Sequence, residues 1–386
     1  MIKICFVTTV SMTLKAFVVD LAKYLHETGK FEVSMICAPD EEFSKELPPY
    51  IRYYPIQMRR GTNLDGISAT LKMAKIFKEN RFDIVQYSTP NASLYASLAA
   101  FIARIPVRLY CQWGIAYVGF SGLKRKIFRF IEKTVCRLST QVEPDSNGNL
   151  KFSHSEGLYG EEKSHVIWNG SASGVNLSKF DISKKEQWRS QTRESLNIPA
   201  ESTVIIFVGR VTKDKGIIEL FRSVKKLIED GIDIYLLMVG YNENSGDIPE
   251  ELYQWSVDES RVIYCGFSKN VERLISAADV YVLPSYREGF GSAVVEAEAM
   301  GVPVVVSDIP GPTDAMQNKL TGLVVEKANS ESLYEGLLRL IGDEETRAFM
   351  GANAYEFAVN GFEQQTLFQK IAHDRIDLHE RSRKTE

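Results

Sequence analysis

Two segments of the chain combine residue types at spacings that could do chemistry. The first is V-G-R-V-T-K-D-K-G, 208–216, where an apolar run ends at Gly209 and a helical pattern opens near Gly216. Arg210, Lys213 and Lys215 lie in the loop between them. Cations at the carboxyl end of a strand, above a helix N-terminus, make an anion site. The helix supplies N–H groups and about half a positive charge, and Arg adds a planar fork for phosphate oxygens. The competing reading is a solvated basic turn. The second segment is S-Y-R-E-G-F-G-S-A-V-V-E-A-E-A-M-G-V-P-V-V-V-S-D, 285–308. Glu288 ends a loop, Gly289-Phe290-Gly291 turns the chain, and Ser292–Met300 has a helical pattern that places Glu296 at i+4 from Ser292. The glycines let backbone N–H groups approach a ligand closely. Two carboxylates eight residues apart suit polyol recognition, because each accepts hydroxyl hydrogen bonds. Alone, Glu296 reads equally as a carboxylate answering the helix dipole. Glu298 is expected to be an exposed helical carboxylate.

The elements around these segments alternate. Apolar runs at 2–8, 31–37, 51–56, 82–88 and 107–112 read as strands, with helical patterns at 14–27, 67–80 and 92–104. The alternation pauses over 169–200, a stretch rich in Asn, Gly, Ser and Lys, which is the expected linker. It restarts with strands at 203–209, 234–240, 261–266, 280–285, 303–308 and 321–326, and ends in helices near 329–342, 344–359 and 363–380. Strands alternating with helices imply parallel sheets covered on both faces. The expected fold is α/β, two Rossmann-like doubly wound domains facing across a cleft: an N-terminal domain 1–168, the linker 169–200, and a C-terminal domain 201–362. Ligands of such sheets bind beyond the carboxyl ends of the strands.

Composition excludes several classes. At 386 residues, with 44% hydrophobic and 25% charged residues, the chain is an ordinary globular protein of two or three domains. Its five cysteines are odd in number and show no C-x-x-C spacing, as expected of reduced core thiols. The N-terminus runs straight into a strand, and no apolar stretch reaches the ~20 residues of a membrane span, so a cytoplasmic location is expected. There is no G-x-G-x-x-G after the first strand and no G-x-x-x-x-G-K-[ST], which argues against nicotinamide and P-loop chemistry. There is no D-x-D, and the five histidines form no ligand spacing, so no metal and no cofactor are expected.

Glu288-x7-Glu296, within R-E-G-F-G-S-A-V-V-E-A-E-A-M-G-V-P-V-V-V-S-D, resembles the signature of the large retaining glycosyltransferase family 4, which has the GT-B fold. G-R-V-T-K-D-K-G (209–216) resembles that family's donor-diphosphate motif, and D-V-Y-V-L-P-S (279–285) also fits. N-G-S-A-S-G-V-N-L-S-K-F-D (169–181) is similar to the interdomain segment of members that build bacterial capsule or O-antigen units. The resemblance implies transfer of a sugar from a nucleotide-sugar with retention at the anomeric carbon, in bacterial surface polysaccharide biosynthesis. UDP is the expected nucleotide on family frequency. The acceptor implied is a saccharide, lipid-linked in many members. Arg210 and Lys215 would grip the diphosphate at Gly209 and stabilise the leaving group. Glu288 would bind donor-sugar hydroxyls, and the N–H groups of Phe290, Gly291 and Ser292 would face that sugar or the phosphates. Glu296 would hold the ribose, and Cys265-Gly266-Phe267 would border the base. Catalytic roles thus fall to Glu288, Arg210 and Lys215. The final helices, Phe362–Leu378, would brace the N-terminal domain. Many members carry a Gly-Gly loop after the first strand, where this chain has Thr8–Thr13, leaving Ser11 and Thr13 as acceptor-side candidates. Many also carry a His after the fifth strand, where Gln112 and Trp113 stand, and either could be a sugar platform. Two alternatives stay open: a GT-B sugar-nucleotide epimerase, and a non-catalytic nucleotide-sugar-binding subunit of a larger transferase.

Charge is split. Residues 1–168 hold 22 Lys and Arg against 16 Asp and Glu, whereas 169–386 hold 24 against 34. The basic excess concentrates in 121–139, where Lys124, Arg125, Lys126, Arg129, Lys133 and Arg137 face only Glu132. At helical spacing Leu123, Ile127, Phe130, Ile131 and Leu138 form an apolar stripe flanked by cations. Such a helix can lie on an anionic bilayer; an ordinary solvated domain helix is the competing reading. Membrane contact is expected through Lys124, Arg125, Lys126 and Arg129, with Arg59-Arg60 adding to the patch. The implied location is peripheral, on the inner face of the cell membrane. Nucleic acid is not expected as a partner, since the acidic half would repel it.

Overall fold

The computed structural model describes residues 1–58, 65–243 and 246–385. The chain divides into two units, Met1–Ser173 with Gln365–Glu386, and Gly174–Gln364. In chain order the first holds β1 (Ile2–Val7), α1 (Ser11–Phe17), α2 (Val19–Glu27), β2 (Phe31–Cys37), α3 (Glu41–Glu46), β3 (Arg52–Pro55), α4 (Asp65–Asn80), β4 (Ile84–Tyr87), α5 (Pro90–Ile102), β5 (Val107–Gln112), α6 (Gly122–Leu138), β6 (Gln141–Pro144) and α7 (Asn147–Ser155). The second holds α8 (Lys185–Ser195), β7 (Thr203–Val208), α9 (Ile217–Glu229), β8 (Ile234–Val239), α10 (Glu250–Asp258), β9 (Val262–Gly266), α11 (Val271–Ser276), β10 (Val280–Leu283), α12 (Ser292–Ala299), β11 (Val304–Ser307), β12 (Gly322–Val325), α13 (Ser330–Ile341) and α14 (Glu344–Phe362). A last helix, α15 (Gln364–Thr385), returns the chain to the first unit.

Each unit is built on a six-stranded parallel sheet, β3-β2-β1-β4-β5-β6 and β12-β11-β10-β7-β8-β9. Both follow one winding order, reversing next to the first strand. The topological switch points are therefore β1/β4 and β7/β10. Central strands such as β4, β10 and β11 are buried along their whole length, as expected when helices cover both faces.

Three expectations change. The single helix over 14–27 breaks at Val18 (φ −123°), a buried residue in a pair of β-branched valines, so α1 and α2 are separate. The stretch 169–200 contains α8, which belongs to the second unit. Arg189 and Arg193 of α8 both reach Asp279 at 2.7 Å, and Asp279 also accepts the Val204 N–H. The first residue of D-V-Y-V-L-P-S therefore serves to lock α8 onto the sheet. Glu298 is fully buried rather than exposed, and burial pushes its carboxyl well above the usual range.

Candidate functional site

The two segments singled out in the sequence flank one switch point. The loop after β7 carries Arg210 and Lys215, and the loop after β10 carries Glu288, so the β7/β10 pairing sets them side by side. Gly216 makes the approach possible. It has φ +72°, and a Cβ there would lie 2.0 Å from the Pro284 carbonyl oxygen. Only glycine allows both. Several bonds then lace the loops together. The Tyr286 N–H donates to the Asp214 carbonyl (2.9 Å), Arg287 pairs with Asp214 (2.9 Å), and the Tyr286 hydroxyl donates to buried Glu219 (2.8 Å). Gly311 backs the turn, since a Cβ there would meet the Gly289 carbonyl at 1.8 Å.

At the centre the Lys215 ammonium donates to Glu288 Oε1 at 2.5 Å, and the Ser285 hydroxyl donates to the same oxygen at 2.7 Å. Lys215 and Glu288 are only 17% and 13% exposed, so this pair is largely shielded from water. Arg210 differs. It pairs with Glu243 at 2.9 Å, but both side chains are 47% exposed. Gly291 (φ +87°) caps α12 without any side-chain acceptor, which leaves the first-turn N–H groups at Gly291 and Ser292 for a ligand. Phe290 is buried and packs on Phe362 at 5.2 Å, so its ring anchors the turn.

Glu296 stands on α12, partly buried. Burial pushes its carboxyl up to about 7; Lys179 acts against the shift and Glu272 with it. Lys179 and Glu272 form a 3.8 Å pair beside it. Neither residue was singled out in the sequence, because they come from the segment after Gly174 and from α11, and no motif links them to Glu296. Gly266 and Phe267 lie at the end of β9. There the Phe267 ring stacks on Tyr241, at the end of β8, with centroids 5.0 Å apart and planes 9° apart. Both rings are about half exposed. Tyr241 was also missed, although the Val211 N–H bonds its carbonyl and so ties it to the Arg210 loop.

The acceptor-side candidates fare differently. Gln112 is fully buried and cannot be a sugar platform. Its amide donates to Glu132 (2.6 Å) and accepts from Ser153 (3.0 Å) and Tyr159 (2.8 Å). Burial raises the Glu132 carboxyl, while the hydrogen bonds from Gln112 and Tyr110 act against the shift. Trp113 is half-buried against Phe17 at 5.3 Å. Ser11 donates to Asp40 at 2.5 Å, and Thr13 is half-buried beside it on α1. At the β1/β4 switch point the Thr9 and Thr89 hydroxyls meet at 2.8 Å.

On α6 the buried stripe is Glu132, Val135 and Cys136, while Leu123, Ile127 and Phe130 are exposed by 73%, 47% and 73%. Arg125 and Arg129 are not free cations, since both pair with Glu156, at 3.3 and 2.8 Å. Lys124 covers the Phe120 ring at 4.0 Å, and Lys126 is exposed. Arg59-Arg60 lies outside the described residues. No described helix is long and apolar enough to cross a membrane.

Comparison with known proteins gives the family and the fold. Residues 189–357 match the family model described as glycosyl transferases group 1, and residues 3–146 match glycosyl transferase 4-like. The chain is 30% identical over 330 residues to the capsular polysaccharide biosynthesis glycosyltransferase CapM of Staphylococcus aureus, covering 85% of this chain and 86% of that protein. It is 25% identical over 362 residues, 90% of each chain, to the UDP-Gal:alpha-D-GlcNAc-diphosphoundecaprenol alpha-1,3-galactosyltransferase of Escherichia coli. The crystal structure of Anabaena HepE in complex with UDP and glucose superposes with a TM-score of 0.77 at 21% identity, over 97% of this chain and 99% of that one. Two parallel sheets of the same winding, a Lys215–Glu288 centre at the switch point of the second, and these matches lead to one conclusion: the chain belongs to the GT-B glycosyltransferases of the family 4 type.

Proposed function

We propose that this glycosyltransferase moves a sugar from a UDP-sugar, with retention at the anomeric carbon, to a saccharide carried on a lipid diphosphate at an anionic membrane surface. The observation that carries the donor half is the Lys215–Glu288 contact beside the uncapped N-terminus of α12. In this reading Lys215, Arg210 and the α12 N–H groups take the diphosphate, Glu288 takes sugar hydroxyls, Glu296 the ribose, and the Tyr241–Phe267 pair flanks the base. No protein nucleophile is assigned; a diphosphate oxygen is the base toward the incoming hydroxyl. UDP is supported by the HepE complex and by the name of the E. coli relative, which also supports a lipid-diphosphate acceptor. The membrane is supported by Leu123, Ile127 and Phe130, an exposed apolar row beside Lys124 and Lys126.

The test is transfer from a panel of UDP-galactose, UDP-glucose and UDP-N-acetylglucosamine to an undecaprenyl-diphosphate GlcNAc acceptor in vesicles. One panel member is expected to give an α-linked product, faster in anionic than in neutral vesicles. Lys124→Glu with Lys126→Glu and Phe130→Glu is expected to lose most of the anionic advantage. A β-linked product refutes retention; an epimerised sugar nucleotide without transfer favours the epimerase; no turnover of any panel member removes the UDP-sugar assignment.

The raised Glu296 carboxyl adds a pH dependence. Ribose hydroxyls bind the carboxylate, so donor binding expels a proton from a group that titrates at about 7 in the empty site. Affinity for a UDP-sugar is expected to be flat above pH 7 and to fall up to tenfold per unit below it. A UDP-sugar suits the measurement because its diphosphate has no titration near this range. Glu296→Gln is expected to weaken binding at pH 8 and to flatten the profile. A wild-type profile flat between pH 5.5 and 8 would remove Glu296 from the ribose.

A further inference from the structure

Tyr281 is a side chain in this site that no step has used. It lies in the middle of β10, is fully buried, and its hydroxyl has no hydrogen-bond partner among the described residues. Alternation along the strand puts Tyr281 on the same face as Leu283. Leu283 packs against the start of α12: a Cβ on Gly291 would lie 3.5 Å from its methyl group. The phenol therefore projects beneath the turn that carries Glu288 and the helix that carries Glu296. Burial holds its pKa well above the ordinary value, with the charges of Glu288 and then Glu296 acting the same way, so it is a neutral O–H donor at every working pH.

A buried hydroxyl without a partner costs stability that phenylalanine would not. Its neighbour Glu288 is held in the empty site by Lys215 and Ser285. A donor diphosphate draws Lys215 away, leaving Glu288 to orient sugar hydroxyls with Ser285 alone. We propose that Tyr281 is a positioning residue for the donor sugar, its hydroxyl idle in the empty site and donating to the Glu288 carboxylate once the diphosphate has taken Lys215. This rests on the donor-site reading above.

The test compares Tyr281→Phe with the wild type against two probes: UDP, which lacks the sugar, and whichever UDP-sugar of the panel is turned over fastest. Expected results are an unchanged or raised melting temperature without ligand, a UDP affinity within twofold of wild type, and a roughly tenfold loss of kcat/KM for the UDP-sugar. A merely structural hydroxyl would weaken UDP and the UDP-sugar alike, and that result overturns the proposal. So does undiminished turnover, or a lower melting temperature without ligand, which would mean that the hydroxyl already has a partner. Failure of the wild-type protein to bind any of these nucleotides overturns the donor-site reading itself.

Discussion

Lys215→Ala is expected to lower kcat/KM about 10³-fold while the fold survives. The magnitude follows from the site. Removing one preorganised group aimed at developing charge typically costs a factor of 10² to 10³. Lys215 does two such things, since it neutralises Glu288 in the empty site and would meet the leaving diphosphate in the loaded one. Its low exposure strengthens both interactions. Arg210 makes the contrast. Its pair with Glu243 is exposed and of the kind worth about 0–1 kcal/mol, so a diphosphate displaces it easily, and Arg210→Ala is expected to cost only about tenfold. Lys215 and Glu288 act as a unit, so Lys215→Ala with Glu288→Ala is expected to cost far less than the product of the single losses. Lys215→Arg is not expected to rescue, because a planar fork does not replace a point charge in a shielded contact. Initial rates with the UDP-sugar, alongside melting curves for each variant, check these outcomes. Activity of Lys215→Ala within tenfold of wild type would take the residue out of the site.

What the sequence made legible was whatever depends on neighbours along the chain. Strand after helix after strand announced two doubly wound sheets. Gly216 and Gly291 marked turns; Arg210 and Lys215, and Glu288 and Glu296, stood out by residue type and local spacing within their own segments, and the resemblance to family 4 joined the two segments in one site. Contacts between distant segments stayed hidden. Glu298 looks like any exposed helical carboxylate until the fold is seen to bury it beside Thr321. Gln112 looked like a replacement for a site residue, yet it closes a buried network with Glu132, a residue counted from sequence as a surface charge opposing the α6 cations. Glu156 quiets Arg125 and Arg129 from 27 to 31 residues away. Tyr241 meets Phe267 only because β8 and β9 are adjacent in the sheet. Residues of this second kind adjust charge and position, and no local pattern marks them.

Arg375 belongs to that group, and its substitution is the stability change expected to be largest. The sequence pattern shows a final helix but does not show that an arginine is among its fully buried residues. Leu367, Phe368, Ile371, Ala372 and Leu378 of α15 join the core that holds Ile4 and Phe6 of β1 and Val33 and Met35 of β2. Arg375, fully buried among them, donates to Glu143 at 2.6 Å, to Asp374 at 2.5 Å and to Gln86 at 3.2 Å. His165 closes the network on Asp374 at 2.7 Å, which raises the imidazole pKa. Burial would raise the Asp374 carboxyl, but His165 and Arg375 outweigh it and hold it below the usual range. Arg375→Met keeps the volume and removes the cation, leaving Glu143 and Asp374 together in the interior. Breaking a buried pair this way costs about 3–5 kcal/mol, which for a unit of this size lowers the melting temperature by roughly 10 °C. The loss should fall on the first unit alone, so nucleotide binding by the second should persist at temperatures where the first has opened. Adding Glu143→Gln and Asp374→Asn removes the stranded charges and is expected to recover most of the stability. The His165 contribution has its own sign: a raised histidine pKa stabilises below about pH 6.5, and that increment fades as pH climbs through the raised value. Calorimetry of the single and triple variants decides the matter. A shift under 2 °C for Arg375→Met would mean that the apolar face of α15 holds the helix in place and that the ionic network is incidental to it.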